Sequence, residues 1–145
     1  FSQAVEYSLR AMVLLSQQAG RPLTVQAIAQ RGQIPGPYLS KLLQGLARAN
    51  LVISQRGIGG GYSLARDPAQ ITLAHVMNSV EPLQRIKTCP LGIEGHLKLC
   101  PLHRILDQAL CDIERTFQNT TLADLVRETS GSIPLCSSQP VVAIT

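Results

Sequence analysis

Two cysteines and a histidine are the side chains of this sequence best suited to metal chemistry. Ten residues separate Cys89 from Cys100, and Cys100-Pro-Leu-His103 opens an apolar periodic run. Pro101 suits the first position of a helix, which makes Cys100 the N-cap. A thiol there lies in the positive end of the helix dipole, which favours thiolate. His103 follows at i+3, so both side chains can face one point. A loop thiolate, a cap thiolate and a first-turn imidazole suit a soft metal or an iron–sulfur cluster. The spacing is not the short Cys-x-x-Cys of a zinc ribbon. The plain alternative is two unliganded loop thiols and a surface histidine. Cys111 lies eight residues past His103, about 12 Å along a straight helix, too far to join them. It reads as a packing residue near a helix seam, and Cys136 as incidental.

A second constellation is Ser54-Gln-Arg-Gly-Ile-Gly-Gly-Gly-Tyr-Ser-Leu-Ala-Arg66. Glycine permits tight reversal because positive φ costs it nothing sterically. Arg56 and Arg66 place cationic forks at or near the resulting hairpin. Two short amphipathic segments joined by a turn precede it. A basic hairpin after a helix-turn-helix reads as a winged-helix DNA-binding domain. Pro37, Tyr38, Ser40, Lys41 and Gln44 lie on the N-terminal, non-apolar face of the second helix and are expected in the major groove. Tyr38 and Lys41 suit phosphate, while Ser40 and Gln44 suit base edges. Arg56 is expected in or beside the minor groove, with Gly59, Gly60 and Gly61 allowing close backbone approach. The ordinary alternative is a solvated helix face and a surface hairpin.

These residues need a scaffold, and the apolar periodicity supplies one. Val5, Leu9, Met12, Val13 and Leu15 to Ala19 predict a helix over residues 2–19, ended by Gly20-Arg21-Pro22. Thr24 caps a short helix with Val25, Ile28 and Ala29 inward, stopped by Gly32. Ile34-Pro-Gly-Pro37 is the turn, with Pro37 at the first position of a helix from Tyr38 to Ala49. Leu39, Leu42, Leu43 and Leu46 are its buried face, and Asn50 is a left-handed C-cap. Leu51–Ile53 and Tyr62–Leu64 form the wing strands, and Asp67-Pro68 breaks the chain. A Thr72-capped helix runs to Val80, and Glu81-Pro82 closes this module, residues 1–82.

Residues 83–100 lack a clean period and form the candidate cluster-binding loop. From Pro101 the period is helical again. Ile105, Leu106, Ala109, Leu110 and Ile113 make a stripe that a second copy of the chain would bury. Because the loop links the winged helix to this long helix, a cluster in it is expected to set the angle between them. The long helix and a short one from Thr121 to Val126 occupy residues 101–129. Residues 130–145 read as a flexible tail. The fold class is mainly α with a small β-wing: a winged helix-turn-helix plus a long dimerisation helix.

The chain has 145 residues, 45% of them hydrophobic, with no Trp, so its core must be aliphatic. Thirteen Lys and Arg against nine Asp and Glu give a net charge of +4, which fits a phosphate-bearing partner without requiring one. No apolar run is long enough for a bilayer and no secretory segment opens the chain, so no membrane is expected. Phe1 implies a few preceding residues, and the default compartment is the cytoplasm. Four cysteines there suggest metal or redox chemistry rather than disulfides. A Gly-rich phosphate loop, a nucleophile elbow and paired catalytic carboxylates are all missing, so an iron–sulfur or zinc enzyme is the least favoured reading.

From Phe1 to Glu128 the chain resembles the IscR/NsrR-type family of winged-helix transcription regulators. The resemblance rests on Glu6-Tyr-Ser-Leu-Arg10, Ile34 to Leu43 and the Arg56-Gly-x-Gly-Gly-Gly-Tyr wing. Leu64-Ala-Arg-Asp-Pro, Ile71-Thr-Leu and Val80-Glu81 complete it. It implies a homodimer on double-stranded DNA with a pseudo-palindromic operator, and in many members an iron–sulfur cluster in the loop before the long helix. Cluster-binding relatives often carry three closely spaced loop cysteines, whereas this loop has Cys89 and Cys100 only. His103 matches a histidine ligand of IscR-like members. Glu6 matches an acidic residue through which NsrR-like members reach the other subunit's cluster. The alternative for Glu6 is an exposed carboxylate stabilised by the helix dipole. Two thiolates, an imidazole and a trans carboxylate imply a 2Fe–2S cluster more readily than a 4Fe–4S one. The expected activity is transcription regulation responsive to redox state, nitric oxide or iron–sulfur status. The alternative is a cluster-free regulator of the same fold, switched by cysteine oxidation or a partner protein.

Overall fold

The computed structural model describes residues 1–93, 98–128 and 135. The elements, in order, are α1 (Gln3–Ser16), α2 (Val25–Gly32), α3 (Gly36–Arg48), β1 (Val52–Gln55) and β2 (Gly61–Leu64). A 3₁₀ turn (Pro68–Gln70), α4 (Leu73–Val80), α5 (Pro101–Asn119) and α6 (Leu122–Arg127) come next. This is a winged helix-turn-helix followed by a long helix, mainly α with one two-stranded antiparallel sheet.

α1 is the central element. Ala11, Met12, Val13, Leu14 and Leu15 are buried in succession, so the C-terminal part of the helix is enclosed on all sides, while Gln3 and Glu6 at its start are exposed. α2, α3, α4, α6 and β2 pack around it. Ile28, Leu39, Leu43, Leu46, Leu51, Ile71, Val76 and Leu122 complete the aliphatic core.

Local chemistry sets the boundaries. Ser2 caps α1 by accepting from Val5 N–H. The helix stops at Ser16, short of the expected residue 19, and Ala19 and Gly20 turn the chain at positive φ. Gly32 is helical and buried, and the left-handed residue ending α2 is Gln33, at φ 52°. Gly32 is small for packing: a Cβ there would meet Ile34 Cδ1 at 3.0 Å and Leu14 Cδ1 at 3.3 Å. α3 begins at Gly36, which puts Pro37 second rather than first. Thr72 caps α4 in a reciprocal pair with His75.

β1 and β2 pair from Val52↔Leu64 to Gln55↔Gly61. Leu23 bridges the other edge of β2, its N–H donating to the Tyr62 carbonyl at 2.9 Å and its carbonyl accepting from Tyr62 N–H at 2.7 Å. The wing is thereby stitched to the segment before α2.

α5 has no buried residue: Ile105 is 65% exposed and Leu106 45%. Its C-terminal end is nonetheless anchored. Phe117 stacks on Phe1 at 5.2 Å. Leu73 N–H donates to Thr120 O and Leu122 N–H to Ile71 O, each at 2.9 Å, and α6 buries Leu122 and Ala123. Thr121 caps α6 in a capping box with Asp124. The Thr121 hydroxyl and N–H hold that carboxyl below its ordinary range. The expected tail, Cys136 included, lies outside the described residues except for Leu135.

Candidate nucleic-acid interface and metal-ligating loop

α3 buries Leu39, Leu42, Leu43 and Leu46, and that packing turns the opposite face to solvent. Pro37, Tyr38, Lys41 and Gln44 lie on that outer face, with Tyr38 39% exposed. Ser40 is half-buried, and its hydroxyl donates to Gly36 O at 3.2 Å. A base edge would therefore find in Ser40 an acceptor rather than a donor. Tyr38 meets Tyr7 of α1 edge to face, with ring centroids 5.8 Å apart. Arg10 lies over the Tyr7 ring at 5.5 Å, donates to Gly32 O at 3.3 Å and pairs with Glu6 at 2.9 Å. The exposed face of α3 thus continues onto α1 through Tyr7 and Arg10. Neither is announced as a site by spacing, because the contact crosses elements distant in sequence.

At the wing, Arg56 is exposed and makes no ion pair among the described residues. Arg66 donates from Nε to the Asn50 carbonyl at 3.3 Å. It does not pair with Asp67, whose carboxylate accepts from Ala69 N–H at 2.8 Å. The wing glycines have reasons internal to the fold. Gly59 turns the hairpin at φ 75°. A Cβ on Gly60 would overlap the Gln55 carbonyl oxygen, and one on Gly61 the Leu23 carbonyl oxygen.

In the loop, Cys100 caps α5 and directs Sγ to within 3.2 Å of His103 Nδ1. Two donors on one tetrahedral metal, with bonds of about 2.3 Å to sulfur and 2.0 Å to nitrogen, stand about 3.5 Å apart. The Cys100–His103 contact is a hydrogen bond, and the two groups would have to separate by about 0.3 Å to serve one metal. Cys89 is half-buried in a turn closed by Gly92 N–H on its carbonyl at 3.1 Å. Among the described residues, no three His, Cys, Asp or Glu side chains come together as a metal site. The structure so brings Cys100 and His103 together and leaves Cys89 and Glu6 apart from them within one subunit. Cys111, farther along α5, contacts Arg115 Nη2 at 4.0 Å.

The structure adds a joint between loop and helix that the sequence does not advertise. Arg85 forks onto Asp107 of α5, Nη2 to Oδ2 at 2.7 Å and Nε to Oδ1 at 2.8 Å, and reaches Glu114 at 3.4 Å. Ile86 N–H donates to the same Asp107 carboxylate at 2.9 Å. The Arg85 hydrogen bond holds Asp107 below the ordinary carboxylate range, and Asp107 in turn raises Arg85. Loop and long helix are thus joined by residues other than Cys89, Cys100 and His103. The Phe1–Phe117 stack and the α6 anchor dock the C-terminal end of α5 on the winged helix, while the Arg85–Asp107 fork ties α5 to the loop.

Residues 1–128 match the family model Rrf2, described as an iron-dependent transcriptional regulator. A helix-turn-helix-type transcriptional regulator of Synechocystis sp. is 47% identical over 76 residues, 52% of this chain and 52% of that relative. The chain thus spans about half the length of that protein. One from Aquifex aeolicus is 29% identical over 130 residues, 87% of this chain and 90% of the relative. Among solved structures, CymR (YrzC), the global cysteine regulator of B. subtilis, superposes with TM-score 0.73 at 26% identity, covering 86% of this chain and 94% of that one. T. potens IscR gives 0.72 at 29% identity, with 87% and 85% covered. These relatives are transcriptional regulators, not enzymes.

Proposed function

This chain belongs to the Rrf2 family of transcriptional regulators, and from that premise we propose that it acts in the cytoplasm as a homodimer on a pseudo-palindromic DNA operator, with an iron–sulfur cluster as its sensor. No helix of the described residues is long and apolar enough to cross a membrane. α3 offers Pro37, Tyr38, Ser40, Lys41 and Gln44 to the major groove. The wing offers Arg56 to the minor groove, with Gly59, Gly60 and Gly61 keeping its tip narrow.

The observation that carries the sensor reading is the Cys100–His103 pair at the start of α5. With Cys89 from the loop and Glu6 of the partner subunit, these residues would hold a 2Fe–2S cluster, with 4Fe–4S the less suited form. When bound, the cluster supplies a centre whose oxidation, nitrosylation or loss reports redox state, nitric oxide or iron status. The chain's own residues supply the transmission. Glu6 pairs with Arg10 through Oε1, and Arg10 sits over Tyr7, which packs on Tyr38 of the recognition helix. Ligation of Glu6 in trans would draw on the pair it makes with Arg10 and so reach α3 through Tyr7 and Tyr38. A coupling of ~1–3 kcal/mol would change DNA affinity by roughly 5–150-fold.

Anaerobic reconstitution of Cys89→Ala, Cys100→Ala, His103→Ala, Glu6→Ala and Cys111→Ala, read by iron and sulfide content and visible spectrum, tests this. We expect loss or perturbation in the first four and none in Cys111→Ala. A complete wild-type cluster in Cys89→Ala or Cys100→Ala refutes it. A second reading, a cluster-free regulator switched by oxidation of Cys100 or by a partner protein, is favoured by the lack of a three-ligand group among the described residues. Colourless, thiol-titratable protein after anaerobic purification would select it.

A further inference from the structure

The tip of the wing carries an isoleucine in an unusual place. Gly57, Ile58, Gly59 and Gly60 form one turn, closed by Gly60 N–H donating to the Gly57 carbonyl at 3.0 Å. The positive φ of 75° at Gly59, its third residue, is the signature of a type II turn. Ile58 is the second residue, whose side chain projects from the tip. Its relative exposure of 110% is the highest of the exposed large apolar residues, and it contributes nothing to the core. The turn beneath it is closed and sterically fixed, since a side chain at Gly60 would overlap the strand backbone. The hairpin thus presents an apolar group, already ordered, two residues from the exposed Arg56.

We propose that Ile58 probes the floor of the minor groove and makes the wing selective for A·T over G·C pairs at the operator flanks. The proposal rests on the DNA-binding reading above and adds a residue and a sequence preference to it. An A·T pair shows only acceptors in the minor groove, whereas a G·C pair adds the guanine 2-amino donor. The Ile58 side chain has no acceptor. Having no donor either, it leaves the groove acceptors unpaired on every base pair, so what separates G·C from A·T is the added bulk and unpaired donor of the 2-amino group. Arg56 is drawn to the same narrow A·T groove by its potential. The two side chains read different properties: Arg56 reads the field, and Ile58 the presence of one amino group.

The test uses duplexes enriched by the wild-type protein from a random-sequence library. At each flanking pair, adenine is replaced by 2,6-diaminopurine, which adds the minor-groove amino group and leaves the major groove unchanged. Guanine is replaced by inosine, which removes it. Affinity is measured by fluorescence anisotropy at one fixed salt concentration. Wild type and Ile58→Val should lose about five-fold or more on a diaminopurine flank, the low end of what one mismatched pair costs. Ile58→Ser should bind both flanks within about two-fold of each other, with an unchanged Tm because Ile58 buries nothing. Equal discrimination by Ile58→Ser and wild type, or none by wild type, overturns the proposal while leaving DNA recognition standing. Failure of wild type to enrich any sequence overturns both.

Discussion

Gly61 shows how one residue decides whether the wing belongs to the domain. It sits at φ 147°, and a Cβ there would overlap the Leu23 carbonyl oxygen and lie 2.9 Å from Thr24 N. Its strand is the one that ties the hairpin to the rest of the domain. Gly61→Ala should cost roughly 1–3 kcal/mol, from strained backbone together with the displaced Leu23 bridge. Gly45, inside α3 with no neighbouring atom within 4 Å of a built Cβ, should behave oppositely. Gly45→Ala should stabilise by about 0.5–1 kcal/mol. Urea unfolding of the two variants checks the sign of each, and a destabilised Gly45→Ala would mean that α3 is crowded where it looks open. Legibility at this scale tracks the range of the interaction. The Cys100 cap, the Thr72 cap and the left-handed Asn50 at φ 55° are readable because each is fixed by near neighbours in sequence. The Arg85–Asp107 fork is not, because its partners lie 22 positions apart with no pattern between them. The wing glycines are readable as a tight hairpin, but their close approach is to Leu23 and Gln55, and sequence spacing does not reveal that.

Among the elements, α5 is the one whose placement has consequences for signalling. Its C-terminal end is fixed by α6, whose Leu122 is completely buried against the core. Its N-terminal half is held by Arg85 and by the Ile86 backbone on Asp107. Leu122→Ala should therefore cost on the order of 2–5 kcal/mol. It should also free the end of α5, seen as faster amide exchange in α6 and around Ile71. Unchanged exchange there would show that α6 is not the anchor. Asp107→Asn should lower Tm by a few degrees at neutral pH. Asp107 is held below its ordinary range in the folded state, so its contribution is present above about pH 4 and fades as pH falls through the lowered value. The Tm gap between wild type and Asp107→Asn should close in acid, and a gap independent of pH would remove the fork as its cause. The helices are legible as elements because the apolar period is local. Their docking is not: the long helix is tied down by an ion-pair fork, a ring stack and a backbone bridge, and periodicity reports none of these. The sequence shows the loop as the link between winged helix and α5, and the return of the chain through α6 becomes visible only in the fold.

For the molecule as a whole, the exposed apolar side of α5 is what the proposed homodimer would cover. The helix runs 19 residues, about 28 Å, without burying one of them. Leu102, Ile105 and Leu106 stand 62%, 65% and 45% exposed and Ala109 is exposed beside them, whereas Leu110 and Ile113 of the expected stripe are half-buried and line a cavity with Phe1, Val5 and Met77 of their own subunit. The same helix commits Asp107 and Glu114 to Arg85 and Phe117 to Phe1, which leaves Leu102, Ile105, Leu106 and Ala109 as the apolar side turned to solvent. A self-complementary helix pair across a two-fold axis covers such a face with a single sequence. It also places two α3 helices and two wings at a fixed separation, as a pseudo-palindromic site requires. Leu106→Glu would set like charges in the seam and should convert a dimer to a monomer at micromolar concentration, measured by sedimentation velocity. The Arg85 fork and the α6 anchor lie outside that seam, so the variant's Tm should fall only by what dimerisation adds. Its DNA binding should drop to that of a single half-site, with a salt slope close to half that of wild type, because each subunit contributes its own phosphate contacts. A wild type that sediments as a monomer would remove the pairing. A monomeric Leu106→Glu that keeps full operator affinity would separate recognition from assembly and leave the two-fold reading of the operator without support.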